Sequence, residues 1–232
     1  MAMATTPSSD IPNRQSVRTR ILVCFAVKEE AACFRKRGGG GGARVLITGM
    51  GRANTIRALR TAFDQESPDL VLTCGFAGGL RSGLRRGSVI FETGDRNLES
   101  SLKQGGAVAA RFVCVDRVAV TATEKRMLRE SGGADAVEME STVVHEECSN
   151  RKIPCATVRV ILDEAEEDLP LDFNALMNSE AKICPGKLIW AILRSPAKIP
   201  ALMRFQKQAA EASDRLGHVL EGVCSRAAGG IG

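Results

Sequence analysis

The chain contains no tyrosine and a single tryptophan, and aromatics make up only 4% of it. That scarcity argues against a surface that stacks nucleic-acid bases, and a net charge of +5 is too mild to imply a nucleic-acid partner. Histidine is rare as well, and none of the eight cysteines falls in a C-x-x-C pair, so no metal site is expected. His145 and His218 read as surface or packing residues. Cys24, Cys74, Cys114 and Cys155 lie inside apolar, strand-like runs. They read as buried reduced thiols, which fits a reducing cytoplasm. No apolar run is long enough to span a bilayer and no charged-then-apolar leader is present, so neither a membrane helix nor an export signal is expected.

What is present suits one α/β domain: 232 residues, 44% apolar and 25% charged, enough to bury a sizeable core. Residues 1–18 are polar, Ser/Thr/Pro-rich and aperiodic and read as a disordered arm, leaving 19–232 as the folded domain. Thr19 to Val27 is a continuous apolar strand, and Lys28-Glu29-Glu30 begins a short helix ending near Arg37. Gly38 to Gly42 is a flexible connection that no packed element should tolerate. Arg44 to Thr48 is a second strand, and a helix is predicted from about Ala53 to Phe63, with Ile56, Leu59 and Phe63 on one face. Leu70 to Cys74, Gly87 to Glu92 and Arg111 to Val118 supply further strands, and Thr121 to Glu130 a helix. Alternating strand, helix and glycine turn predicts a three-layer α/β/α sandwich around a mixed sheet.

Two glycine turns, Gly49 to Gly51 and Gly75 to Gly79, follow predicted strands and can bring backbone N–H groups close to a ligand. Neither is a P-loop or a dinucleotide fingerprint. The most informative stretch runs from Ala136 to Asp168. A short apolar segment delivers Glu138, Met139 and Glu140, a helix follows to about Asn150, and a buried strand, CATVRVIL, ends in Asp163 within an acidic loop. Glu140 and Asp163 are thus both placed at C-terminal strand ends, where open α/β sheets bind ligands.

Four segments together resemble the nucleoside phosphorylase superfamily, of the purine nucleoside phosphorylase and methylthioadenosine/S-adenosylhomocysteine nucleosidase type. They are KEEA around Glu30; TGMGRAN at Thr48 to Asn54; PDLVLTCGFAGGL with the following RRGSVIF; and VEMES followed by VRVILDEAEED. They occur in family order over about Ile21 to Asp168. TATEKRML, VEMES and LRSPAKIPALMRFQKQAA are further similar to hopanoid-associated phosphorylases. The resemblance implies cleavage of the N-glycosidic bond of an adenosine-type nucleoside, with adenosylhopane as substrate and inorganic phosphate as acceptor. A methylthioadenosine/S-adenosylhomocysteine nucleosidase using water is the alternative, and a non-catalytic nucleoside-binding module a further one. No cofactor is implied beyond phosphate as candidate co-substrate. Relatives of this kind assemble as homo-oligomers, so the same is expected here.

The resemblance also assigns roles. Asp163 matches the proton donor to the purine ring, and burial together with the acidic neighbours Glu164, Glu166, Glu167 and Asp168 should raise its pKa. Glu140 matches the carboxylate that binds the ribose hydroxyls and offsets developing sugar charge, and Met139 the methionine against the ribose. Glu30 matches the nucleosidases' general base for water. Glu138, by alternation on the other side of its strand, reads as structural and is kept among the substrate-binding candidates. Arg159 is expected on the Asp163 face, either orienting the loop or forming an ordinary ion pair. There are departures: nucleosidases carry a small hydroxyl residue where this chain has Phe76, and purine phosphorylases carry an arginine and a serine for phosphate around a turn that here reads Thr73-Cys74-Gly75-Phe76. Phosphate would need Gly51, Arg52 and turn backbone, with Arg81 a weaker candidate. Phe76 and Met50, with Gly75, Ala77 and Gly78, suggest a substrate pocket suited to an apolar 5′ substituent.

The region 182–225 is basic and helical. Lys182, Lys187, Arg194, Lys198, Arg204 and Lys207 are interspersed with apolar residues including Trp190, and no acid occurs from Lys182 to Lys207. Pro196 and Pro200 are expected to break it into short helices before a longer one from Ala201 to Val219. Such a region can dock on an anionic membrane surface, giving a cytoplasmic protein with peripheral contact at the inner membrane, or it can pack on the domain or on another subunit.

Overall fold

The structure, a computed structural model, describes residues 19–178 and 195–228. The arm at 1–18 and the basic stretch from Lys182 to Arg194, Trp190 included, lie outside the described residues.

The strands are β1 (Ile21–Phe25), β2 (Arg44–Ile47), β3 (Leu70–Gly79), β4 (Val89–Thr93), β5 (Val108–Ala109), β6 (Phe112–Cys114), β7 (Ala136–Glu138) and β8 (Cys155–Asp163). The helices are α1 (Lys28–Lys36), α2 (Gly39–Gly42), α3 (Arg52–Gln65), α4 (Arg96–Gln104), α5 (Ala122–Gly132), α6 (Ser141–Asn150), α7 (Phe173–Leu176) and α8 (Ile199–Ala228). All eight strands form one sheet of order β2-β1-β3-β8-β4-β5, with β7 joining the end of β3 and β6 joining β7. β1, β2, β3 and β8 run parallel, whereas β4 is antiparallel to β8 and β7 antiparallel to β3. This is the mixed three-layer sandwich expected. β1 and the body of β8 are buried along their length because helices cover both faces, which is why they read as unbroken apolar runs. One face packs Phe25, Leu72, Val158 and Val160 against Phe34 of α1 and Leu216, Leu220 and Val223 of α8. The other packs Leu22, Cys24 and Val71 against Leu59 and Phe63 of α3 and Val143 and Val144 of α6.

Several expectations need correction. β3 does not stop at Cys74 but continues through Gly75–Gly79, because the glycines pair with β8 on one side and with β7 on the other. The glycine run at 38–42 is packed rather than a loose connection. All five residues have positive φ, Gly39 and Gly40 are buried, and a Cβ on Gly40 would stand 2.6 Å from Cys224 Cβ of α8. Only glycine combines those dihedrals with that approach. Pro200 does not break the C-terminal helix, since it lies in the first turn of α8, where no intrahelical N–H bond is lost. The helix also runs on to Ala228. α4, which the sequence reading missed, is started by Asp95, whose carboxylate accepts the Asn97 and Leu98 N–H groups.

α5 begins as expected. Thr121 Oγ1 accepts the Glu124 N–H at 3.2 Å while Glu124 Oε2 accepts the Thr121 N–H at 3.2 Å, and Gly133 closes the helix in the left-handed conformation.

Candidate active site

The C-terminal ends of β1, β3 and β8 and the turn between β7 and α6 enclose a cavity of about 230 Å³. Glu30, Met50, Phe76, Ala77, Gly78, Glu138, Met139, Glu140 and Asp163 all line it. Residues up to 133 positions apart in sequence are thereby gathered at the sheet edge where α/β proteins bind ligands.

Beneath one wall Arg159, 1% exposed, sits among three glutamates. Its Nη2 bonds Glu138 Oε2 at 2.5 Å and Thr73 Oγ1 at 3.2 Å, and lies 3.7 Å from Glu140 Oε2. Burial disfavours its charge, but Glu138, Glu140 and Glu30 together outweigh that and hold it protonated well beyond the ordinary arginine value. Of the two readings of Arg159, the ion pair is the one observed.

The three carboxylates differ in how well they are compensated. Glu138 accepts the Glu140 and Ser141 N–H groups at 3.0 and 2.8 Å and the Ser141 hydroxyl at 2.6 Å. Burial alone would raise its pKa, yet Arg159 and these donors pull it below the usual carboxylate value. It is the group that caps α6. Glu140 has only the Gly51 N–H at 3.3 Å and the more distant Arg159. Burial therefore dominates, with Glu138 and Glu30 adding to it, and its pKa rises to about 7. Glu30 stands in the first turn of α1, where Oε2 accepts the Ala26 and Val27 N–H groups at 2.9 and 3.1 Å and Oε1 the Phe76 N–H at 2.8 Å. Burial still raises its pKa against Arg159 and the three amides. Gly75 explains the close packing here: a Cβ would collide with Glu30 Oε1 and stand 2.8 Å from Arg159 Nη1. Its glycine serves these two side chains.

Asp163 ends β8, opposite Gly78, where the β3–β8 register slips between Ala77 and Gly78. Bulges of this kind re-aim side chains next to active sites. Burial raises its pKa, Lys125 opposes that, Glu167 adds to it and Arg86 opposes it. The acidic loop thus contributes less than its composition suggests, because its members are engaged. Glu164 accepts from Arg85 and from the Arg86 N–H, and Glu167 pairs with Arg86. Glu166 takes the Ser82 hydroxyl, and Asp168 the Ala122 N–H.

The rest of the cavity is apolar. Phe76, Val115, Val118, Leu169, Phe173, Met177 and Phe205 form its walls, with the Phe173 and Phe205 rings 5.6 Å apart. Phe205 comes from α8, so the C-terminal helix closes the site. The residues suggested for phosphate are not among those that line the cavity. Gly51 gives its N–H to Glu140, Arg52 pairs with Glu146 at the surface at 2.6 Å, and Arg81 faces Asp135 at 3.4 Å. Among the described residues the one cation lining the cavity is Arg117, ion-paired with Glu124. Lys125, Arg117, Phe173 and Phe205 were missed as site residues from sequence. For Lys125 the available signal was its spacing of three from Leu128 on the inner side of α5.

The sequence pattern of the Phosphorylase superfamily matches residues 96–194. A 5'-methylthioadenosine/S-adenosylhomocysteine nucleosidase of an Exiguobacterium species is 23% identical over 65% of this chain and 79% of its own length. The crystal structure of the Campylobacter jejuni 5'-methylthioadenosine/S-adenosyl homocysteine nucleosidase superposes with a TM-score of 0.67 at 15% identity, covering 90% of this chain and 99% of that one. The Helicobacter pylori futalosine hydrolase gives 0.62 at 16% identity, over 87% and 97%.

Proposed function

We propose that this chain, whose residues 96–194 match the Phosphorylase superfamily, cleaves the N-glycosidic bond of an adenosine-type nucleoside, releasing adenine, with water as acceptor. The observation that carries the reading is the pairing of an under-compensated carboxylate, Glu140, with a protonatable one, Asp163, across a single cavity of nucleoside scale. Asp163, its pKa raised by burial, donates a proton to the departing base and so lets the bond electrons leave with it. Glu140 receives the ribose hydroxyls and offsets the positive charge that grows on the sugar. Glu30, fixed by three backbone N–H groups, orients water and takes its proton. The matches to nucleosidases support water. So does a lining of four carboxylates whose one cation, among the described residues, is already paired, a poor environment for a phosphate anion.

A second reading is favoured by the apolar wall of Phe76, Phe173, Met177 and Phe205. We propose that the 5′ substituent is apolar, and that it can be as large as the hopane of adenosylhopane if it extends out of the cavity past α8. There, Ile199 and Met203 are exposed at 41% and 68% beside Lys198, Arg204 and Lys207, a surface suited to an anionic bilayer. No helix among the described residues is long and apolar enough to cross a membrane.

The test is adenine release from methylthioadenosine and from adenosylhopane, each with and without phosphate. Phosphate-independent release is expected, and strict dependence on phosphate would refute water as acceptor. Preference for adenosylhopane, together with sedimentation on anionic vesicles at low salt, would establish the second reading, whereas turnover of methylthioadenosine alone would remove it.

A further inference from the structure

We propose that Lys125 is a positioning residue for the proton donor: its ammonium holds the Asp163 carboxyl and the loop behind it, and stabilises the carboxylate left when the proton goes to the base. The inference rests on the reading of Asp163 as the acid.

Lys125 is 0% exposed and is the buried residue of α5, a helix otherwise half-exposed or exposed. A lysine is almost never fully buried unless its charge is partnered. Here all three ammonium hydrogens have an acceptor within reach. Nζ donates to the Glu164 carbonyl at 2.8 Å and to the Glu167 carbonyl at 2.7 Å, and it forms an ion pair with Asp163 Oδ2. The two carbonyls belong to the loop that follows Asp163, so one ammonium fixes the carboxyl and the chain that carries it. On the opposite side stands Gly78, where a Cβ would lie 3.3 Å from Oδ2. Oδ2 is therefore held between α5 and β3. Among the described residues Oδ2 is buried and has no hydrogen bond of ordinary geometry, so the ion pair with Lys125 is its polar contact.

The chemistry gives this arrangement a purpose. During cleavage the Asp163 O–H bond breaks, an N–H bond forms on the base, and the glycosidic electron pair leaves with the base. Asp163 becomes a buried anion at that moment. A buried anion without a cation is strongly disfavoured, so the proton would be given up reluctantly. With Lys125 already in place, the anion forms beside a fixed positive charge and needs no reorganisation. The proton is regained from solvent after the base departs. The other charged groups facing Asp163 are Arg86, from the segment before β4, and Glu167, from its own loop, and these two are paired with one another. Lys125 is the cation in direct contact.

The experiment is the pH dependence of adenine release by Lys125→Met and Lys125→Arg. In Lys125→Met the alkaline limb of kcat/KM should move upward by about one pH unit or more, kcat should fall roughly 10–100-fold, and KM should change little. Lys125→Arg, which keeps the charge, should hold the limb near its wild-type position. An unmoved limb in folded Lys125→Met would overturn the proposal, as would an equal shift in both variants. Should Lys125→Met fail to fold, ¹⁵N NMR of the Lys125 Nζ in the wild-type protein gives the same answer. Its resonance should follow the Asp163 titration, identified by its loss in Asp163→Asn, and a resonance blind to that titration would overturn the proposal. Failure of the functional reading itself looks different, for Asp163→Asn would then release adenine as fast as wild type.

Discussion

Replacing Glu140 by glutamine should stabilise the protein at alkaline pH while crippling it. Burial raises the Glu140 pKa from 4.5 to about 7, so the folded state favours the protonated form. At about 1.4 kcal/mol per pH unit, ionising this group in the folded protein costs about 3 kcal/mol. The sign follows from linkage: below pH 4.5 the group is protonated in both states and costs nothing, the cost grows as pH rises to about 7, and above that it is constant. Glutamine keeps an acceptor for the Gly51 N–H, and the attraction of Arg159 is already contained in the raised pKa. The net gain at pH 8 is therefore about 3 kcal/mol, equivalent to roughly 6–12 °C in Tm for a chain of this size. At pH 4.5 the variant should gain nothing. Thermal unfolding of wild type and Glu140→Gln at both pH values decides the matter. An equal gain at the two values, or none at pH 8, would refute the claim that Glu140 is the under-compensated charge. Adenine release should meanwhile fall by roughly a hundredfold or more if, as proposed, the carboxylate that is costly at rest is the one that meets the sugar.

Gly75→Ala should lower stability by about 1–3 kcal/mol and reduce turnover far more, because the new methyl meets Glu30 and Arg159. Urea unfolding and a kinetic assay of the same preparation test both halves. Thr121→Ala removes the side-chain acceptor at the start of α5 and should cost about 1 kcal/mol, read as a shift in urea midpoint at constant slope. Phe205→Ser should raise KM for nucleosides with apolar 5′ groups by roughly tenfold with kcat nearly unchanged, since about 1.5–3 kcal/mol of apolar burial is at stake. A matched loss for unsubstituted adenosine would show that Phe205 acts on the fold and not on the 5′ group.

The core strands were legible because a strand covered on both faces has to be apolar throughout, as β1 and β8 are. The positions of Glu140 and Asp163 followed from the same logic: Asp163 is the last residue of β8 and Glu140 stands two residues beyond β7, where the sheet edge opens. Gly75 to Gly79 read as a turn because glycine normally ends a strand. Here it continues one, as β3 must let Glu30 and Arg159 approach its backbone at Gly75, and that reason lies in residues 45 and 84 positions away. The glycine run at 38–42 misled for the same cause, its constraint being Cys224 on α8. A lone lysine on an amphipathic helix reads as solvent-facing, and its spacing from Leu128 was the one hint in the sequence that Lys125 turns inward, under the loop after Asp163.

The Arg159 cluster ties stability to chemistry. One cation serves three buried carboxylates, and it serves them unequally: Glu138 has the short bond and three further donors, whereas Glu140 has one amide and a guanidinium 3.7 Å away. If Arg159 were centred between them, both glutamates would be satisfied and the empty site would be electrostatically quiet. Because it is drawn to Glu138, a deficit of positive charge is left at the cavity wall beside Met139 and Glu140. In the proposed reaction a sugar that becomes cationic as its base departs would fill that deficit, making the interaction stronger in the transition state than with the neutral nucleoside, which is the condition for catalysis over mere binding. In the same proposal Asp163 and Lys125 supply the complementary half on the base side, where negative charge has to be discharged. The two ends of the cavity thus differ in which charge they lack, and the glycosidic bond is the group whose cleavage would generate both.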